Sequence, residues 1–343
     1  RWLRIEKIVE YLGRTTVVIV SGIFFLGALA VALREPGQRR WIGEDKPIVA
    51  PFLGFVESIV VLASVDLLFL AFVVVQFAYL FGGQANITAT GYTYAEYARR
   101  GFGELVGVAV MTLGLIMALG AWSRRSQRSQ QLAFNALSAL LVVQVGVILA
   151  SAMMRLLLYE SAYGFTRVRT YTHVAIYWMG VLFLIFLVLL ITDRLRQFAP
   201  AALAGAIGFV ATLSLLNVDA FIVRQNVARL AQTGKVDVTY LASLSNDAVP
   251  LLVDLAGTAP QSVREELLPQ LACTRAEVEK RFEDVSWPSY HRSHEAARSA
   301  LASIDAELDA YPVRWAPWDE DYPQYARWVV MVDGEETACA EVW

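Results

Sequence analysis

Six stretches of this 343-residue chain are apolar over about the length needed to cross a bilayer: residues 15–33, 59–81, 102–122, 132–158, 174–192 and 199–216. The hydrocarbon core is ~30 Å thick, and a helix rising ~1.5 Å per residue crosses it in about 20 residues. Composition agrees. The chain is 57% hydrophobic and 18% charged, with a mean hydropathy of +0.48, whereas soluble domains carry about a quarter charged residues. After Leu216 no comparable run occurs. These features predict an all-α polytopic membrane protein with about six transmembrane helices over 1–223. A small, mainly helical soluble C-terminal domain follows over 224–343 and ends in a β-hairpin.

Charge divides the chain at the same place. Residues 1–223 hold 18 Lys+Arg against 12 Asp+Glu, a net +6, and residues 224–343 hold 11 against 20, a net −9. A phosphate-binding surface for nucleic acid needs clustered Lys and Arg, so the acidic tail speaks against nucleic acid as a partner. The chain opens at Arg1 rather than Met, so the natural N-terminus is expected to be missing or processed away. The lead-in "RWLRIEKIVEYLGR" lacks the apolar core and cleavage site of a signal peptide. Cys273 and Cys339 are the two cysteines. They allow one disulfide if the tail lies outside the cytoplasm and two free thiols if it lies inside.

Within the spans, Asp66, Gln76 and Gln144 are the polar side chains that stand out. An intramembrane carboxylate is costly and marks a functional site by default. The structural alternative is that Asp66 is neutral or hydrogen-bonded to a neighbour such as Gln144. The sixth span carries small residues four apart (Ala201/Gly205, Ala204/Gly208), which lets helix backbones approach closely. In the tail, Gly234 is a helix stop, and the Asp333-Gly334 pair between two β-prone runs predicts a tight hairpin.

Six spans place the second-to-third loop, the fourth-to-fifth loop and the tail on one side. That side collects Gln76, Arg99, Arg100, Arg155, Tyr159, Glu160, Arg167, Arg169, His173, Asn217, Asp219 and Asn226. The stretch "YESAYGFTRVRTYTH" at 159–173 forms one wall of this tyrosine-rich ring. Interface composition alone accounts for much of it, with Tyr and Arg at the headgroups and Glu160 and Asp219 pairing arginines. The functional reading is a vestibule for an anionic ligand bound by Arg99, Arg100, Glu160, Arg167, Arg169, Asn217 and Asp219. As a purely structural seam, the ring requires Glu160 to pair with an arginine of its own loop or of the third helix's start.

The segments "VESIVVLASVDLLFLAFVVVQFAYLFGG", "YTYAEYARRGFGELV", "YESAYGFTRVRTYTH" and "LNVDAFIVRQNVAR…GKVDVTYLASLSNDAVPLL" resemble a bacterial membrane family, domain of unknown function 4173. The likeness runs from about Glu57 to Leu252. It implies a polytopic inner-membrane protein with further helices upstream, and it lends no activity. Glu57, Gln76, Arg99, Arg100, Glu160, Arg167, Arg169, Asn217 and Asp219 carry over as the family's signature.

No phosphate loop, dinucleotide fingerprint, nucleophile elbow or zinc-protease helix occurs. His291-x-x-His294-Glu295 offers two ligands on one helix face, where zinc wants three or four, and reads as a solvated face. The sequence thus calls for no cofactor and no metal. The function it supports first is a membrane scaffold, sensor or accessory subunit that presents the C-terminal domain to a protein partner, with the lipid bilayer as the other partner. The alternative is a secondary transporter or a membrane protein that binds a polar ligand or lipid at the ring. Transporters usually show paired repeats and broken helices, and neither is visible. An enzyme acting on lipid-linked substrates would need a nucleophile–base pair, which the ring does not supply. Lys and Arg flanking the spans divide nine to nine between the two sides, which leaves the positive-inside rule undecided. The short basic turns "SRRSQRSQ" and "DRLRQF" favour their side as cytoplasmic and the tail as external.

Overall fold

The computed structural model describes residues 50–81, 102–282, 291–317 and 326–340, with the single positions 15, 19, 22, 23 and 26, which are helical. The first expected span therefore lies largely outside the described residues. The helices are α1 (Phe55–Phe81), α2 (Phe102–Trp122), α3 (Arg128–Tyr163), α4 (Arg167–Ile191), α5 (Phe198–Leu216), α6 (Val218–Thr233), α7 (Val238–Ala242), α8 (Val249–Thr258), α9 (Gln261–Phe282), α10 (Arg292–Ala302) and α11 (Asp305–Leu308). A sheet of β1 (Val313–Pro317), β2 (Ala326–Val332) and β3 (Glu335–Ala338) closes the chain.

Four helices are long and apolar enough to cross a membrane: Phe55–Gln76 within α1, then α3, α4 and α5. This is a multi-pass membrane architecture. The expectation of six spans is met only in part, because the described apolar part of α2, Gly107–Trp122, is shorter than a span. The spanning helices carry large apolar side chains outward, among them Leu67, Leu68, Leu184, Leu203, Ile207 and Leu215. A helix apolar all round is buried or faces lipid.

The membrane helices pack through Leu62, Ile116, Phe134, Leu141, Ile148 and Phe186. On α1 and α3 the contact also carries polar groups. The Gln144 carboxamide donates to the main-chain oxygen of Asp66 at 3.2 Å, and Ser151 Oγ donates to Gln76 Oε1 at 2.9 Å. Gln76 Oε1 also accepts from the Arg155 guanidinium. The small residues of α5 allow close packing on α4, since a Cβ at Gly208 would run into the Trp178 ring. The Trp178 indole in turn donates to Thr212 Oγ1 at 3.1 Å. With 36 residues, α3 is about 54 Å long at ~1.5 Å per residue. That exceeds the ~30 Å hydrocarbon layer, so one or both of its ends project beyond the layer.

The tail has its own core, built from Ile222, Leu241, Leu252, Leu267, Leu271 and Leu301. Its first helix does not simply continue the last span. Asn217 adopts φ 47°, ψ 74° between α5 and α6, and its side chain accepts from Ala220 N. Asn tolerates this left-handed conformation better than most residues and is a strong N-cap, so the chain turns there within one residue. Gly234 ends α6 at φ 69°, as a helix-stop glycine does. The hairpin forms where expected, with Asp333 and Gly334 both at positive φ, the signature of a two-residue hairpin turn. Its first strand also pairs with β1, in the register Trp315 opposite Trp328.

Cys273 on α9 and Cys339 after β3 form a disulfide across a sequence separation of 66 residues, with Cα atoms 5.8 Å apart. It ties the sheet to the helical part of the tail, beside a second tether in which Gln270 Oε1 accepts from Ala340 N at 2.8 Å. Such cross-links typically contribute about 2–4 kcal/mol by restricting the unfolded chain. Replacing both cysteines with alanine is expected to lower tail stability by about that amount in reversible denaturant unfolding. Identical peptide maps of the parent chain with and without reductant would rule the bond out.

Candidate functional site

The charged stretch at 159–173 is mostly helical: it ends α3 and opens α4, leaving a turn of Gly164, Phe165 and Thr166. Gly164 stands at φ 78°, and a Cβ there would strike the Asn226 carboxamide oxygen. Both conditions require glycine. Asn226, 7% exposed, pairs with both main-chain groups of Phe165. Its Oδ1 accepts from Phe165 N at 3.1 Å, and its Nδ2 donates to Phe165 O at 3.0 Å. The Arg229 guanidinium donates to Ser161 O at 3.0 Å and Ala162 O at 2.6 Å. These lie in the last turn of α3, where helix carbonyls lack intrahelical partners. Two side chains of α6 thus fasten the tail to the α3–α4 turn.

One step along, Arg167 forms the principal ion pair. Its Nε donates to Asp219 Oδ1 at 2.8 Å and its Nη2 to Oδ2 at 2.6 Å, the fork geometry in which arginine binds carboxylate best. The side chains are 22% and 10% exposed. The pair is therefore only partly solvated and less screened than a surface bridge. Asp219 Oδ2 also accepts from Ser245 N at 2.9 Å, and the Arg167 main-chain N–H donates to Tyr240 Oη at 2.8 Å. Three tail residues, Asp219, Asn226 and Tyr240, bond one end of the membrane helices, and a fourth, Ser245, braces Asp219 from within the tail. Burial acts to raise the Asp219 carboxyl, but the hydrogen bonds from Arg167 and Ser245 outweigh it and hold the group below its usual range. Burial raises the Tyr240 hydroxyl above its ordinary value.

The other expected ring members fall in different settings. Arg169 donates to Gly164 O and lies 4.0 Å over the Tyr159 ring. Glu160, 1% exposed, meets no arginine among the described residues. Its Oε2 lies 3.4 Å from His173 Nδ1, because Arg167 and Arg169 turn instead to Asp219 and to the Gly164 carbonyl. Asn217 does not join the pair but sets the bend before α6. Asp66 is 5% exposed, and its carboxylate oxygens have no hydrogen-bond partner among the described residues. Gln144 reaches the Asp66 main chain rather than the carboxylate. Arg99 and Arg100 lie outside the described residues. His291 and His294 sit with ring centroids 5.4 Å apart, and among the described residues no group of three or more His, Cys, Asp or Glu is placed to hold a metal. Arg229, Tyr240 and Ser245 carry no sequence signal for their roles, since each acquires its contact only when the tail folds back on α3 and α4.

A multi-pass helical membrane part with a docked tail is the class these features define. The chain belongs to the family described as Domain of unknown function (DUF4153), which matches residues 1–255. This corrects the resemblance to domain of unknown function 4173, a different family of membrane proteins. Long apolar segments with Tyr and Arg at their ends recur wherever helices meet a membrane interface, so motifs of that kind separate such families poorly. No curated protein matches the chain, and no solved structure does.

Replacing Asp219 with asparagine strands a partly buried arginine. It is expected to cost about 1–3 kcal/mol, the range for an unpaired buried polar group. Exchanging the two charges (Arg167→Asp with Asp219→Arg) should recover part of the loss in thermal unfolding. Because the folded-state carboxyl titrates below its unfolded value, the contribution is fully present above the usual carboxylate range. It disappears as pH falls through the lower, folded-state value. Asp219→Asn should remove this acid-labile component, and an unchanged pH profile would contradict the assignment.

Proposed function

We propose that the chain is a membrane scaffold or accessory subunit of a larger assembly, holding its C-terminal domain in a fixed pose against one membrane face for a protein partner. The observation that carries this reading is the seam itself: two main-chain amides and one arginine side chain of the membrane helices are bonded by side chains of the tail. A tail that swung freely would not need such contacts, because each ordered side chain costs conformational entropy. The surface offered to the partner is the sheet. Trp315 is 52% exposed, packs edge-on against Trp328 at 5.1 Å, and has Lys280 Nζ 4.3 Å above its ring. Exposed tryptophans are favoured anchors in protein interfaces.

The proposal extends to topology. Segment 15–33 and α2 complete six spans, both ends lie on one side, and the membrane is the bacterial inner membrane with the tail outside the cytoplasm. The Cys273–Cys339 bond supports that side, since disulfides persist in oxidising compartments. The basic turn at 123–130 then faces the cytoplasm. A cysteine placed at Ser126 is expected to resist a membrane-impermeant thiol reagent in intact cells, and labelling would invert the topology. Purification from native membranes should bring down a stoichiometric partner that Trp315→Ala releases without lowering the melting temperature. A solitary protein, or a partner indifferent to Trp315, would overturn the scaffold reading.

A further inference from the structure

Beside the Arg167–Asp219 pair, a cleft of about 490 Å³ opens between the α3–α4 turn and the tail helices α6 and α7. Its lining includes Arg169, Arg229 and Lys235, with Asp237, Thr166 and Tyr240. Three cations face one carboxylate, and that carboxylate is already engaged: Asp237 Oδ1 accepts from Tyr240 N at 2.9 Å at the start of α7. The contrast with Arg167 is informative, since Arg167 is neutralised by a fork on Asp219.

Arg169 and Arg229 are oriented but not neutralised. Arg169 is fixed by the Gly164 carbonyl and the Tyr159 ring. Arg229 is fixed by the carbonyls of Ser161, Ala162 and Lys235, which occupy three of its N–H donors and leave two of the five a guanidinium has. Among the described residues neither forms an ion pair with a carboxylate, and the Lys235 ammonium makes no hydrogen bond or ion pair. Carbonyl dipoles hold a guanidinium in place while leaving its full charge. An exposed surface would scatter these charges into solvent, whereas here backbone contacts aim two of them at one concavity. Arginine recognises phosphate through paired N–H donors, and lysine adds a point charge. The rim adjoins exposed apolar and aromatic side chains of α3 and α4, including Leu158, Tyr163 and Val168, as a site at the level of lipid headgroups would.

We propose that this cleft binds a phosphate-bearing anion, held by Arg169, Arg229 and Lys235. The site exists only with the tail docked, so the inference rests on the fixed pose described above. Loss of docking shows in neutral lipid alone, and loss of the site shows only when the anion is added.

The test is thermal unfolding of the whole chain in nanodiscs of phosphatidylcholine. Phosphatidylglycerol is added to the disc in one arm and inorganic phosphate to the buffer in another. Either anion should raise the melting temperature, as any ligand selective for the folded state does. A shift with phosphatidylglycerol alone identifies a lipid headgroup, and a shift with inorganic phosphate identifies a soluble ligand. Lys235→Glu should stay folded in phosphatidylcholine and lose most of the shift that the anion produces, equivalent to binding roughly tenfold weaker or more. Lys280→Gln removes a positive charge elsewhere on the tail and should keep the shift that Lys235→Gln diminishes. The proposal is overturned if neither anion stabilises the parent chain, if Lys235→Glu retains the full shift, or if Lys280→Gln loses as much as Lys235→Gln.

Discussion

The fork between Arg167 and Asp219 is the contact on which the arrangement of this molecule depends. It joins the first residue of a membrane helix to the first turn of the tail. Its carboxylate also receives the Ser245 amide, which fixes the loop before α8. Placed in bulk water such a pair would contribute little. Placed at a partly buried junction, it makes any separation of the layers expose a charge on each side. The surrounding contacts have the same character: Asn226 on Phe165, Tyr240 on Arg167, and Arg229 on the end of α3. Each is a polar group of one layer satisfied by the other, so the seam is specific in register as well as adhesive.

Much of the architecture was legible in the sequence because it rests on local signals. Hydropathy located α1, α3, α4 and α5, since only an apolar helix of that length suits the bilayer. Asp333-Gly334 located the hairpin, because few residue pairs tolerate two positive φ values in succession. The stretch around Glu160 and Arg167 was legible as a polar boundary between spans but not in its pairing geometry. Glu160 and Asp219 were both expected to pair arginines; Asp219 does claim Arg167, from 52 residues away, while Glu160 faces His173, two turns into α4. Nothing local encodes that pairing. β1 was missed for a similar reason: its pairing with β2 is a long-range event that strand propensity alone does not announce. The bend at Asn217 leaves no hydropathy signal, because a single left-handed residue keeps hydrophobic periodicity intact on both sides.

Within the membrane part, polarity is concentrated where α1 meets α3. Gln76, Ser151 and Arg155 satisfy one another there, and Gln144 ties α3 to the α1 backbone. Hydrogen bonds between helices supply orientation that lipid-facing leucines cannot, since apolar tails attract either helix face alike. Through α4, this bundle sets the position of the turn to which the tail is fastened.

The central claim, that tail and membrane helices form one rigid unit, is tested most directly by hydrogen exchange on the chain in nanodiscs. The amides of Phe165, Arg167 and Ser245 each donate to a side chain across the seam or beside it. They should be protected to the same degree as amides in the tail core and should open with them. Rapid exchange at Phe165 and Arg167, the two amides that donate across the seam, while α8 and α9 remain protected would show that the layers part freely, and would contradict the account.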